Sequence, residues 1–397
     1  IRTRAQATTV NPATAAFPSK VFAPYVDTSL FPLYDFSGAY AATGQKFYIF
    51  AFITSSGNCS PAWGGTTPAN STFLFDQLNF LRSNGGDAIV SFGGAAGIEL
   101  GQSCTTPQAL QAAYQQVITQ YKIRWIDMDI EGAATADAVS VDRRNKALAG
   151  LQAANAGLKI SYTLPVLPSG LTQDGLNLLS NAKTNGVNIT VVNLMTMDYG
   201  DGAAPNPIGK MGEYAIQAVN STRTQVNGLG ITTSYGSTSM IGQNDVASEK
   251  FLLADVPIVV TAAKSASDIT LLSMWSSSRD NGGCANQGSA SPKCSGIAQA
   301  EYDFTKAFQR FTNSPGGAIP TFGCVGGINC VPSPSASPTI NSPAINPTST
   351  TPTHPLTPQP STITAPPPSP PDGIIDQLKN FLLSLILILL ELLLGIF

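Results

Sequence analysis

Asp127, Asp129 and Glu131 stand two residues apart in the run Trp125-Ile126-Asp127-Met128-Asp129-Ile130-Glu131. On an extended strand the three acids project to one face, and Ile126, Met128 and Ile130 to the other. The apolar face suits packing against helices; the acidic face suits the lining of a barrel. Neighbouring carboxylates repel one another and lose hydration, so at least one keeps its proton near neutral pH. A protonated carboxyl is the general acid that cleavage of a glycosidic bond requires. Glu131 is the outermost of the three, at the C-terminal end of the strand, where barrel active sites sit. A solvated edge strand is a weaker reading, because Ile, Met, Ile and Trp125 indicate burial. A hard-cation site is weaker too, since such ions take loop geometry with carbonyl ligands. The single histidine, His354, lies in a Pro-rich stretch. That excludes a histidine metal site or a Ser-His triad from the folded part.

Short apolar runs that could carry these acids recur along the chain. They cover residues 21–25, 47–53, 88–92, 123–131, 158–164, 189–197, 229–240 and 269–275. Segments with helical periodicity lie between them. In 110–121, Leu110, Tyr114, Val117, Ile118 and Tyr121 share one face. Residues 73–81, 144–154 and 297–311 behave similarly. Strands alternating with helices predict an α/β fold with a parallel sheet, closed most economically as a (β/α)8 TIM barrel. A doubly wound open sheet is the alternative, but no Gly-x-Gly-x-x-Gly follows an early strand.

The acids and their surroundings resemble family 18 glycoside hydrolases, the bacterial-type and fungal chitinases. That family's Asp-x-Asp-x-Glu ending matches Asp127, Asp129 and Glu131, while Arg124-Trp125 replaces the preceding Asp-Gly. Its third-strand Ser-x-Gly-Gly matches Ser91-Phe92-Gly93-Gly94. Its Met-x-Tyr-Asp is matched by Met195 and Asp198, with Met197 at the tyrosine position and Tyr199 two residues on as an alternative source of the hydroxyl. Trp275 ends the eighth strand, where the family places a tryptophan under the sugar. Asn244 and Asp245, and Phe22 to Tyr25 with Asp27, fit the bacterial-type members as well. The resemblance spans residues 20–315.

The resemblance implies a chitinase that cleaves β-1,4 bonds between N-acetylglucosamine units with retention, by substrate-assisted catalysis. Glu131 would protonate the leaving oxygen and later act as base. Asp129 would hold the acetamido N–H and stabilise the oxazolinium, and Asp127 would tune Asp129. Tyr199 would steady the acetamido carbonyl. Trp275 would floor the sugar, with Asp198, Met195, Ser91, Gly93, Gly94 and Asn244 around it. No metal or organic cofactor is implied. Chitin or N-acetylglucosamine oligomers would be the partner of a monomeric enzyme. Only 28 residues separate Met240 from Ile269, too few for an added domain. An open groove and endo-type cleavage are therefore expected. The alternatives are a non-catalytic chitin-binding or wall protein, and an endo-β-N-acetylglucosaminidase acting on N-glycan cores.

Of 397 residues, 43% are hydrophobic, ample for a core, and 11% are charged. That charged share is well below the roughly 25% usual in soluble domains, so Ser, Thr, Asn, Gln and Gly must cover the surface. A net charge of −3 offers no basic field for nucleic acid. Six cysteines predict disulfides 59–104, 284–294 and 324–330 in an oxidising compartment. Asn58, Asn70, Asn188 and Asn220 begin glycosylation sequons. Together these predict a secreted, extracellular protein. The expected organisation is an N-terminal extension at 1–19, a catalytic barrel at 20–330 and a Pro/Ser/Thr-rich linker at 331–372. An apolar segment at 373–397 closes the chain, resembling a GPI-type signal or a tail anchor that would attach it to membrane or cell wall.

Overall fold

The computed structural model describes residues 6–312. The expected linker, apolar end and Cys324–Cys330 bond lie outside the described residues. In chain order the strands are β1 (Val21–Phe22), β2 (Tyr25–Asp27), β3 (Phe47–Ser55), β4 (Pro61–Trp63), β5 (Thr67–Pro68), β6 (Asp87–Gly93), β7 (Trp125–Asp129), β8 (Lys159–Leu167), β9 (Gly170–Leu171), β10 (Val191–Met195), β11 (Ser234–Met240), β12 (Gly242–Gln243), β13 (Lys250–Phe251) and β14 (Ile269–Trp275). The helices are α1 (Phe36–Thr43), α2 (Phe75–Ser83), α3 (Leu100–Ser103), α4 (Pro107–Tyr121), α5 (Ala133–Ala136), α6 (Ala138–Ala154), α7 (Gln173–Thr184), α8 (Met211–Gly228), α9 (Val256–Ser265) and α10 (Asp303–Phe308).

The sheet closes. Parallel pairing runs β3–β6–β7–β8–β10–β11–β14. The first barrel strand is broken at Ala23-Pro24, and its halves join the two ends: β1 pairs with β14 and β2 with β3, both in parallel. The open-sheet alternative is thereby set aside, and the architecture is a TIM-like α/β barrel. Helices such as α4 pack outside. Thr106 caps α4 by accepting from the Ala109 amide, Pro107 occupies its first turn, and Leu110, Tyr114, Val117, Ile118 and Tyr121 are its buried stripe.

Several boundaries differ from the sequence reading. Residues 229–233 are not strand: Leu229 caps α8, and β11 begins at Ser234. The run 189–197 shortens to Val191–Met195, and 123–131 to Trp125–Asp129. Glu131 thus sits in the loop beyond its strand. The expected helix over 297–311 is only α10 plus one 3-10 turn. The small antiparallel hairpin β12–β13, after β11, was not anticipated.

The barrel's lower interior holds Val21, Ile49, Ile89, Trp125, Val191 and Leu271, with Phe17 and Phe47 against them. Phe17 belongs to residues 6–19, the expected N-terminal extension, which run as a strap beneath the barrel. Its ring lies 5.2 Å from that of Trp125 and 5.5 Å from that of Phe47. Arg82 donates to the Asn11 carbonyl and Arg124 to the Ala15 carbonyl, both at 2.6 Å. Both guanidiniums also pair with buried Asp87, at 2.8 and 2.7 Å. The departure at Arg124-Trp125 therefore serves the strap and the floor of the barrel. Disulfides join Cys59 to Cys104 and Cys284 to Cys294, as expected.

Candidate active site

Register, not proximity in sequence, assembles the site. Ser91, Asp127 and Ser161 pair in one row across β6, β7 and β8, and Gly93, Asp129, Thr163 and Asn193 in the next. Asp127 is fully buried and accepts from four hydroxyls: Tyr25 (2.9 Å), Ser91 (2.7 Å), Ser161 (2.6 Å) and Thr163 (2.8 Å). Burial pushes its pKa up, while these donors pull it back. Asp129, 4% exposed, has no such cage. Burial, then the charges of Glu131 and Asp127, push its pKa well above the ordinary value. Burial and the Asp198 charge raise Glu131 to about 7.

Asp129 and Glu131 open into a cavity of about 230 Å³. Its wall includes Tyr25, Phe52, Thr163, Met195, Met197, Asp198, Thr238, Met240, Asp245 and Trp275. The Trp275 ring is stacked on Phe52 at 5.6 Å and meets Tyr25 edge-on at 5.9 Å, which fixes an aromatic wall. Asp198, with φ +53°, is held by the Val246 amide at 2.8 Å. A second recess, about 370 Å³, borders the other side of Glu131. Gly94, Ala95, Gly97, Gly132, Ala133 and Ala134 line it, with Glu99 and Gln102.

Asp127, Asp129, Glu131, Met195, Asp198 and Trp275 are therefore brought together. Four expected contacts, Tyr199, Ser91, Gly93 and Asn244, line neither recess. Tyr199 does not line the cavity: the left-handed turn at Asp198 breaks strand alternation, and the Tyr199 ring packs buried against Tyr214 at 6.3 Å. Ser91 is buried beneath the cavity as a donor to Asp127. Gly93 and Gly94 serve close approach. A Cβ on Gly93 (φ +106°) would lie 2.0 Å from the Asp129 carbonyl oxygen, and one on Gly94 (φ +87°) 2.7 Å from the Phe52 ring. Gly94 borders only the second recess. Asn244 turns inward, its amide donating to the Met240 and Gly242 carbonyls, while its neighbour Asp245 faces the cavity.

Sequence reading assigned no role to Phe52, Thr163, Thr238 or Met240. Their only signal was position: each lies in the middle or C-terminal part of a barrel strand, on the way to the catalytic face.

The chain is 33% identical over 317 residues to the probable bifunctional chitinase/lysozyme of Escherichia coli K12, a match covering 75% of this chain and 35% of that protein. It is 34% identical over 283 residues to Endochitinase 11 of Metarhizium anisopliae, covering 67% of this chain and 53% of that one. The chain thus spans about a third and a half of these curated relatives. It also superposes on active domain 2 of the thermostable Pyrococcus furiosus chitinase, a catalytic-site mutant complexed with chito-oligosaccharides. The TM-score is 0.69 and the identity 30%, over 78% of this chain and 100% of that one. No family model matches. With 30% identity across the whole of a solved chitinase catalytic domain, and Asp129 and Glu131 at the mouth of its barrel with Asp127 behind them, the chain belongs to the family 18 glycoside hydrolases.

Proposed function

We propose that the protein is a chitinase that hydrolyses β-1,4 bonds between N-acetylglucosamine units with retention, the sugar's own acetamido oxygen acting as nucleophile. The observation that carries this reading is the pair of carboxyls lining one cavity, Glu131 and Asp129, with the hydroxyl-caged Asp127 behind them; Glu131 is raised to about 7 and Asp129 is raised as well. Glu131 protonates the glycosidic oxygen as the bond to the anomeric carbon breaks and the acetamido oxygen closes on that carbon. Asp129 accepts the acetamido N–H and balances the oxazolinium charge. Asp127, saturated by hydroxyls, stays fixed behind Asp129 and tunes it. Water then opens the ring, and its proton returns to Glu131. Trp275 supplies an apolar floor for the sugar, and Met195 and Asp198 flank it.

Endo-type cleavage is supported by the recesses on both sides of Glu131, which leave room for sugar before and after the scissile bond. Action outside the cell, as a monomer, belongs to the same reading. Its support is the two disulfides and the exposure of Asn58, Asn70, Asn188 and Asn220.

Reducing-end release from colloidal chitin tests the assignment. The wild type is expected to release reducing ends, and Glu131→Gln to lose turnover by about 100-fold or more while still binding chitin oligomers. Full activity in that variant would contradict the assignment. No release by the wild type, with activity on a high-mannose glycoprotein instead, would move the substrate to N-glycan cores.

A further inference from the structure

Asp198 owes its orientation to a clasp between two loops. The turn after β10 carries Asp198, Tyr199 and Gly200, with left-handed backbone at Asp198 (φ +53°) and Gly200 (φ +78°). The loop of the β12–β13 hairpin grips it. The Val246 amide donates to Asp198 at 2.8 Å, and the Gly200 amide donates to the Glu249 carboxylate at 2.7 Å. The Ser248 hydroxyl donates to Asp201. Glu249 is fully buried, lies against the backbone amides of Asp198, Tyr199 and Gly200, and has no ion pair among the described residues. Successive amides around a left-handed residue form a nest for an anion. Here the anion is a side chain of the same molecule.

The hairpin that carries Glu249 is itself braced. The Gln243 amide donates to the carbonyls of Asn244, Ala247 and Glu249. Buried Arg279 donates to the carbonyls of Ile241 and Gln243 from below. A buried carboxylate without a cation is expensive, and its compensation here comes from the backbone amides of the 198–200 turn. What it fixes is the conformation that turns Asp198 into the cavity.

We propose that Glu249 is a positioning residue for the reaction, holding the 198–200 turn so that Asp198 stays beside Glu131 and the bound sugar. This rests on the function proposed above, but its geometry can be read without substrate. Glu131 feels Asp198, while Asp129 behind it feels Glu131 and Asp127. Asp198 in turn feels Asp245 and the Arg279 guanidinium, and Glu249 feels Asp198. If Asp198 swings away, Glu131 loses a negative neighbour and its titration moves to lower pH.

Two variants separate reach from charge. Glu249→Asp keeps the charge but shortens the arm; Glu249→Gln keeps the arm and an acceptor for Gly200 but removes the charge. The readout is the titration midpoint of Glu131, from the carbon chemical shift of its labelled carboxyl, assigned with Glu131→Gln. Expected are a lowered midpoint in Asp198→Asn and in Glu249→Asp, no further lowering in the double variant, and a wild-type midpoint in Glu249→Gln. On chitin oligomers, Glu249→Asp is expected to lose about 10- to 100-fold in kcat/KM, the scale of a small misplacement. A wild-type midpoint in folded Glu249→Asp, or equal shifts in the Asp and Gln variants, would overturn the inference. Absence of chitin cleavage by the wild type would instead overturn the proposed function and leave the midpoints to decide the clasp.

Discussion

Two carboxyls separated by one residue, Asp129 and Glu131, differ in what surrounds them rather than in what they are. Both line the cavity, but Asp129 has carboxyls on both sides, whereas burial and the Asp198 charge raise Glu131 to about 7. The sign of the pH dependence follows. Glu131 must be protonated to act as acid, so activity is present below its pKa and lost as pH rises through about 7. The alkaline limb of kcat/KM is expected there in the free enzyme, and Asp198→Asn is expected to move it to lower pH. An unmoved limb in that variant would contradict the assigned source of the shift. The acidic row was legible because alternation along β7 is strict: Ile126, Met128 and Ile130 are buried outside, and Asp127 and Asp129 inside. The same rule failed for Tyr199. Alternation ends with β10 at Met195, and nothing in the letters Met-Asp-Tyr-Gly announces the left-handed turn at Asp198.

At the scale of elements, the eight parallel strand positions were legible from apolar runs, and their ends were not. Residues 229–233 read as strand because Leu229 and Ile231 are apolar, yet they finish a helix and the turn after it. Hairpin β12–β13 escaped because its strands are two residues long, too short for any period. Gly93 and Gly94 were singled out as sugar contacts, and Gly94 alone of the two borders a recess. Their work is to let the end of β6 approach Asp129 and Phe52. Gly93→Ala is therefore expected to displace the Asp129 backbone, lowering thermal stability and activity together, with a cost of about 1–3 kcal/mol for the strained backbone and overpacking. Thermal unfolding alongside kcat/KM checks this; a variant with wild-type melting and wild-type rate would contradict the role.

Across the whole barrel, the catalytic end and the floor are separate systems. Polar side chains (Ser91, Asp127, Ser161, Thr163, Asn193) fill the upper interior, and Phe17, Phe47, Trp125 and their apolar neighbours the lower. Phe17→Ala is expected to cost about 2 kcal/mol of stability through lost aromatic packing, with KM and kcat on short chitin oligomers unchanged at temperatures well below unfolding. A changed rate with unchanged melting would contradict this separation. The strap itself was read only as an extension, since its partners Arg82, Asp87 and Arg124 are distant in sequence. The central claim is that Glu131 and Asp129 serve a two-step, retaining cleavage of the β-linked chain rather than a single displacement by water. Both this route and a protein nucleophile retain configuration, whereas direct displacement by water inverts it, so retention is the first requirement of the claim. Proton NMR of a chitin hexamer, followed within the first minutes of hydrolysis and before mutarotation, reports the anomer formed. The account predicts the β-anomer at every newly released reducing end; initial formation of the α-anomer would contradict it.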